Sequence, residues 1–174
     1  EIPKRDWSSD VCSSDLNLDG NFEYTRIEPY VYSHHINGNS FTFKNQNISH
    51  HLQPNSDELF FQTNYRVNEK LRLYSSFAIE RHSENIPAIF YPFVVSFINY
   101  GGNILEGHRP FDSDKVTFLD GNLLKTFSLQ LKASYEPINN FFLIGLYEFK
   151  NENFTWLSKK INSNYFSLQV KVEY

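Results

Sequence analysis

The end of the sequence, from Tyr165 to Tyr174, alternates without interruption. Phe166, Leu168, Val170, Val172 and Tyr174 fall on one face; Tyr165, Ser167, Gln169, Lys171 and Glu173 fall on the other. Side chains repeat every second residue only along an extended chain, so this segment is a strand with an apolar and a polar face. The apolar face must be covered. A soluble sandwich covers it with a second sheet, and a membrane barrel covers it with lipid.

The same alternation recurs upstream. Leu59, Phe61, Thr63, Tyr65 and Val67 oppose Glu58, Phe60, Gln62, Asn64 and Arg66; Leu71, Leu73, Ser75, Phe77 and Ile79 oppose Arg72, Tyr74, Ser76, Ala78 and Glu80. Between about Leu123 and Glu136, Phe127, Leu129, Leu131, Ala133 and Tyr135 oppose Ser128, Gln130, Lys132 and Ser134. A strand is expected over Phe141–Lys150, with Glu148 and Lys150 on its wet face, and another over Phe22–Ser33, where Tyr24, Arg26, Glu28 and Tyr30 oppose Thr25, Ile27, Pro29 and Val31. About six strands are expected in all. Tight turns are expected at Asp19-Gly20, at Asn68-Glu69-Lys70 and at Pro137-Ile138-Asn139-Asn140. Longer polar connections are expected over His34–Asn55, over His82–Lys115 and, of medium length, over Asn151–Ser163. The second of these holds an apolar patch, Ile89–Ile98, readable as a short strand or an inward-folded loop.

Short and longer connections thus alternate, and the last strand ends on an aromatic residue. Both features resemble bacterial outer-membrane β-barrels, which have short periplasmic turns and longer extracellular loops. Mean hydropathy is -0.48, and no apolar run approaches the length of a membrane helix, so a helical membrane protein is excluded. A barrel is not, because its lumen and loops are polar. The 11 Tyr and 17 Phe suit interfacial girdles, and a net charge of -4 argues against nucleic acid as a partner. The expected fold class is all-β: an antiparallel up-and-down transmembrane β-barrel fragment. Single-chain bacterial barrels begin at about eight strands, and an open edge in lipid leaves backbone groups unsatisfied. The visible strands are therefore expected to be the C-terminal part of a larger barrel.

Residues 1–16 stand apart, with neither a helical nor a strand period. The stretch Arg5-Asp6-Trp7-Ser8-Ser9-Asp10-Val11-Cys12-Ser13-Ser14-Asp15-Leu16 resembles a translated sequencing adapter, so 1–16 is set aside as non-native and 17–174 is read as the barrel portion. The chain contains no Met, which suggests truncation at its start, and its only cysteine, Cys12, has no internal disulfide partner.

Three stretches suggest a family. Tyr24-Thr25-Arg26-Ile27-Glu28-Pro29-Tyr30-Val31-Tyr32-Ser33-His34-His35 precedes a loop that leaves through Pro54-Asn55-Ser56-Asp57-Glu58-Leu59, and Asn99-Tyr100-Gly101-Gly102-Asn103 lies in the next long connection. The pattern is similar to that of the Wzi-type capsule-assembly family, especially its Bacteroidetes branch, over residues 22–174. His50-His51-Leu52-Gln53 stands where that family is expected to carry glycine before the Pro-Asn. The resemblance implies an outer-membrane barrel that binds capsular or exopolysaccharide at the cell surface, supports its attachment, and carries out no catalysis. It implies no cofactor. The partners it implies are the polysaccharide, outer-membrane lipid and, through the strand ending at Tyr174, the barrel-assembly machinery.

The candidate ligand-binding residues are Arg26, Glu28, Tyr30, Glu58, Arg66, Arg72, Tyr100 and Trp156. The charged ones, together with Glu80, are expected on the polar faces of neighbouring strands, where they form either a binding surface or a paired charge ladder filling the interior. Aromatic loop residues (Tyr32, Phe41, Phe43, Tyr91, Tyr100, Phe154 and Trp156) beside Asn, Asp, Glu and His suit sugars, but also girdles and loop anchors. The pairs His34-His35 and His50-His51 lack metal-ligand spacing and, on an extended chain, point apart. No nucleophile-elbow or zinc-helix motif is present. The competing readings are an outer-membrane porin or transport channel, a soluble sugar-binding β-sandwich, and a hydrolase whose triad is completed outside this chain.

Overall fold

Hydrogen bonding joins six long strands side by side in one antiparallel sheet. The computed structural model describes residues 17–34, 42–43, 46–47, 50–91 and 94–173. The strands are β1 (Leu18–Ile27), β2 (Thr42–Phe43), β3 (Gln46–Asn47), β4 (Ser56–Arg66), β5 (Leu71–Glu84), β6 (Ile86–Tyr91), β7 (Val94–Ile98), β8 (Asn122–Ile138), β9 (Phe141–Phe154) and β10 (Lys159–Val172). The large sheet runs β1-β4-β5-β8-β9-β10, strictly up and down; β2-β3 and β6-β7 are separate hairpins inside the two long connections. The described residues contain no α-helix. Of the apolar patch expected over Ile89–Ile98, residues 89–91 and 94–98 thus belong to the β6-β7 hairpin.

Directly opposed residues in an antiparallel sheet share a face, so the register sorts every side chain. One row reads Phe22, Phe61, Phe77, Leu129, Phe149 and Asn164. Rows on the same face bring Tyr24, Leu59, Ile79 and Phe127, followed by Asn151 and Asn162; then Thr63, Ser75, Leu131, Tyr147 and Phe166; then Leu18, Tyr65, Leu73, Ala133 and Leu168; then Leu71, Tyr135, Leu143 and Val170. From Leu71 to Ile79 this band extends about 27 Å along the strand at the usual rise per residue. It is exposed: Phe22 retains 63%, Phe166 66% and Leu168 75% of its accessible surface. The band ends abruptly toward the long connections, in a charged row of Arg26, Asp57, Arg81, Lys125 and Lys160. There Arg81 donates twice to Asp57.

The opposite face is mostly polar, carrying Gln62, Ser76, Gln130 and Glu148 in one row and Asp19, Asn64, Tyr74 and Lys132 in another, with Phe60 on β4 and Phe142, Ile144 and Leu146 on β9 among its apolar members. No second layer covers either face among the described residues. Their only buried hydrophobic side chains are Ile27, Leu52 and Ile104, all at or beyond the end of the sheet that carries the long connections.

Several expectations need correction. Asp19-Gly20 is no turn: both residues lie inside β1, opposite Asn64 and Thr63, because a full run of pairing with β4 outweighs the local preference of Asp-Gly. β1 stops at Ile27, where Pro29 cannot donate to a ladder and Tyr30 takes a positive φ of 62°. The segment 151–163 is no loop. β9 runs on to Phe154, a 3₁₀ turn occupies Thr155–Leu157, and β10 begins at Lys159. Its Asn-rich composition suggested a loop, yet the asparagines pair across strands, Asn151 donating to Asn162. The connections are consequently sorted less simply than expected. Both turns at one end are tight, 67–70 and 139–140; the other end carries the two long connections and one short turn. Residues 1–16 with Cys12, then His35, Phe41 and Tyr174, lie outside the described residues, as do the side chains of Phe43 and Tyr91.

Candidate functional site

At one end of the sheet the long connections fold into a knot of buried polar groups. Asn55 is completely buried and holds a positive φ of 57°, a conformation asparagine tolerates better than most residues. Its Nδ2 donates to the carbonyls of Asp120 at 3.0 Å, Ser83 at 3.4 Å and Tyr100 at 3.5 Å, and its Oδ1 accepts from the Leu119 amide at 2.6 Å. One side chain thus ties β4 to both flanks of the connection between β5 and β8. Asn99 and Asn85 repeat the device. Asn99 donates to Gly107 O and Asp112 and accepts from the Gly101 amide; Asn85 accepts from the amides of Tyr100 and Gly102. Glycine is required in this seam: a Cβ on Gly102 would lie 2.0 Å from the Ser83 carbonyl oxygen.

Tyr30 closes the knot. Its hydroxyl donates to Asn99 O at 2.7 Å, its amide donates to Gly101 O, and its ring stacks on His108 at 4.0 Å. Burial, followed by the Asp112 charge, pushes its phenol up to about 12. Asp112 accepts from the side chain and amide of Arg109 and from Asn99. Burial pushes its carboxyl up, but those hydrogen bonds together outweigh burial and hold it below the usual aspartate range.

The polar face of the sheet divides by charge. Toward the knot lie Glu23, Glu58, Glu80 and Glu152, with Glu58 directly opposite Glu80, Lys150 bonded to Glu152 at 2.7 Å, and His51 bonded to Glu58 at 3.2 Å. Toward the tight turns the sign reverses. Arg66 and Arg72 face each other across the β4-β5 hairpin, and Lys132 follows on β8 opposite Tyr74. These three cations line a groove of about 720 Å³ with Asn17, Asp19, Asn64, Tyr74, Gln130 and Ser134.

Compared with known proteins, the chain matches no family model, no curated protein and no solved structure. The site must be read from its own chemistry.

The sequence candidates therefore separate into groups. Tyr30 and Tyr100 meet in the knot, where the Tyr30 amide bonds Gly101 and the Tyr100 carbonyl accepts from Asn55. Arg66 and Arg72 come together in the groove, and Glu58 sits on the acidic part of the same face. Arg26 and Glu28 are not on the polar face. Arg26 falls in the charged row that ends the apolar band, because its parity follows Tyr24 and Asp57, and Glu28 lies past the end of β1. The two pair at 2.7 Å while remaining half-exposed, and Arg26 stacks on Phe118. Trp156 lies on the short turn between β9 and β10, edge-on to Phe154. The His50 and His51 rings do not point apart: the chain bends there and their centroids are 4.4 Å apart. Among the described residues, no group of three metal-ligating side chains forms.

The sequence reading missed Tyr74, Lys132, Gln130, Asn64 and Ser134 in the groove, and Asn55, Asn85 and Asn99 in the knot. Symmetry about Glu69, the middle of the Asn68-Glu69-Lys70 turn, could have paired Arg66 with Arg72. The placement of Lys132 depends on the β5-β8 register, which is set across a long connection and is not written locally.

Proposed function

We propose that this chain forms part of an outer-membrane β-barrel that holds capsular or exopolysaccharide at the bacterial cell surface and supports its attachment, without catalysis. The observation that carries the reading is the exposed, largely apolar band on one face of an up-and-down sheet. The nine residues from Leu71 to Ile79 on β5 are within the roughly 9–11 that a tilted strand needs to cross the hydrocarbon core. In water a patch of that size is a liability; in lipid it is the required surface. A soluble sandwich would cover the band with a second sheet, and no such layer lies among the described residues.

The polar face then turns inward, and the unpaired edges of β1 and β10 are closed by further strands, since open edges in lipid cost several kcal/mol per unsatisfied group. The long connections collect at one end, as extracellular loops do. Their stiff knot offers a surface on which a sugar can rest with little ordering cost. The resemblance of Tyr24–His35 and Pro54–Leu59 to the Wzi-type family supports the same assignment, and both stretches contribute to the knot through Tyr30 and Asn55.

Flotation of the full protein in liposomes with fluorescent capsular polysaccharide tests the proposal. The glycan is expected to rise with the proteoliposomes and not with empty ones, and planar bilayers are expected to pass little current. Large conductance without glycan retention points to a porin. Protein that stays in the aqueous phase without detergent points to a soluble sandwich.

A further inference from the structure

We infer that the groove at the tight-turn end of the polar face binds a carboxylate-bearing stretch of glycan. This rests on the glycan-binding reading above, adds a second contact on the inward face at the end away from the knot, and names the ligand class that the groove would take.

The first argument is charge. The chain carries a net charge of -4, yet this groove is lined by Arg66, Arg72 and Lys132 against a single carboxylate, Asp19. Arg66 faces Arg72 directly across the β4-β5 pair, which gathers positive charge at this end of the face. Among the described residues no carboxylate pairs with Arg72 or Lys132. An anionic ligand would meet these two cations directly.

The second argument is shape and chemistry. Tyr74 lies between the cations: Lys132 is its cross-strand partner on one side and Asn64 on the other, and Arg72 is two residues away on the same face. A phenol ring offers a flat surface for the C–H face of a sugar ring. Asn64, Gln130 and Ser134 supply donors and acceptors for hydroxyls. Arg72 offers a planar fork matched to a carboxylate, and Lys132 a point charge for a second acidic sugar. A site for a bare anion would not need an aromatic floor. At about 720 Å³ the groove accepts several sugar rings.

The test uses the full chain in detergent, titrated with an oligogalacturonate and with a neutral maltodextrin of equal length. The oligogalacturonate is expected to bind, to weaken steeply with added salt, and to lose about tenfold in affinity in Arg72→Gln and again in Lys132→Gln. Ser134→Glu adds a carboxylate without removing a cation and is expected to weaken binding as well, which guards against a loss that merely reflects misfolding. Inorganic phosphate should not displace the oligomer at matched charge; displacement would reduce the groove to an anion sink and overturn the sugar assignment. Equal binding of the two oligomers, or charge-removing variants that bind like the wild type, also overturns the inference. Neither result touches the membrane reading, which flotation judges separately.

Discussion

Asn55 does at the scale of one residue what a core usually does at the scale of a domain. It is buried, polar and bonded to three carbonyls and one amide from segments far apart in sequence. Replacing it with Ala leaves those groups without partners in a place water does not reach, so Asn55→Ala should cost on the order of 3 kcal/mol. The loss should appear as faster proteolysis within residues 85–121, while the far-ultraviolet signature of the sheet persists. The knot is also pH-sensitive at both ends of the scale. Asp112 has a folded value below its ordinary 3.8, so its contribution is intact above that value and is lost as pH falls through the folded one. Tyr30 is raised from 10.0 to about 12, so its contribution is intact below pH 10 and is lost as pH rises through about 12. The thermal midpoint should accordingly fall faster in acid for the wild type than for Asp112→Asn, and Tyr30→Phe should remove a late phenolate transition from the absorbance titration. Little of this was legible in the sequence. Pro54-Asn55-Ser56 could be marked as a motif, but that the asparagine side chain stands in for backbone across two connections depends on the closed fold.

The strands were far more legible, because a two-residue period is a local property that folding preserves. The faces of β4, β5 and β8 follow the alternation of Leu59–Val67, Leu71–Ile79 and Phe127–Tyr135 residue by residue. Two other stretches were misjudged where composition was trusted over pairing. Asp19-Gly20 carries a turn signal, and 151–163 a polar, asparagine-rich one, yet both lie against partners that supply their hydrogen bonds. Arg26 was misplaced for a related reason: a charged side chain was assumed to follow the polar face, while its parity places it at the rim of the apolar one. The face assignment has a direct consequence for β8. Under the barrel reading, Leu131→Lys puts a charge in the middle of the lipid-facing band and should cost about 2–4 kcal/mol, abolishing membrane insertion if the margin is small. Ser128→Lys, on the opposite face of the same strand, should insert like the wild type. Heat-modifiability on gels, compared between the two variants, checks the asymmetry.

At the scale of the whole molecule, three separations are superimposed on one sheet. Apolar residues face one way and polar residues the other; long connections gather at one end and tight turns at the other; and the polar face is acidic near the knot and basic near the turns. The first separation underlies the proposed membrane location, and the other two describe how a chain so placed would meet a charged polymer. The proposed membrane location turns on which face meets lipid. The most direct measurement is tryptophan quenching by brominated lipid in proteoliposomes, using single tryptophans at Leu131 and at Gln130 in a background with Trp7 and Trp156 replaced by Phe. Strong quenching at Leu131→Trp with little at Gln130→Trp is the expected result, since neighbouring residues on a strand point to opposite faces. Equal quenching at the two positions, or none at either, contradicts it.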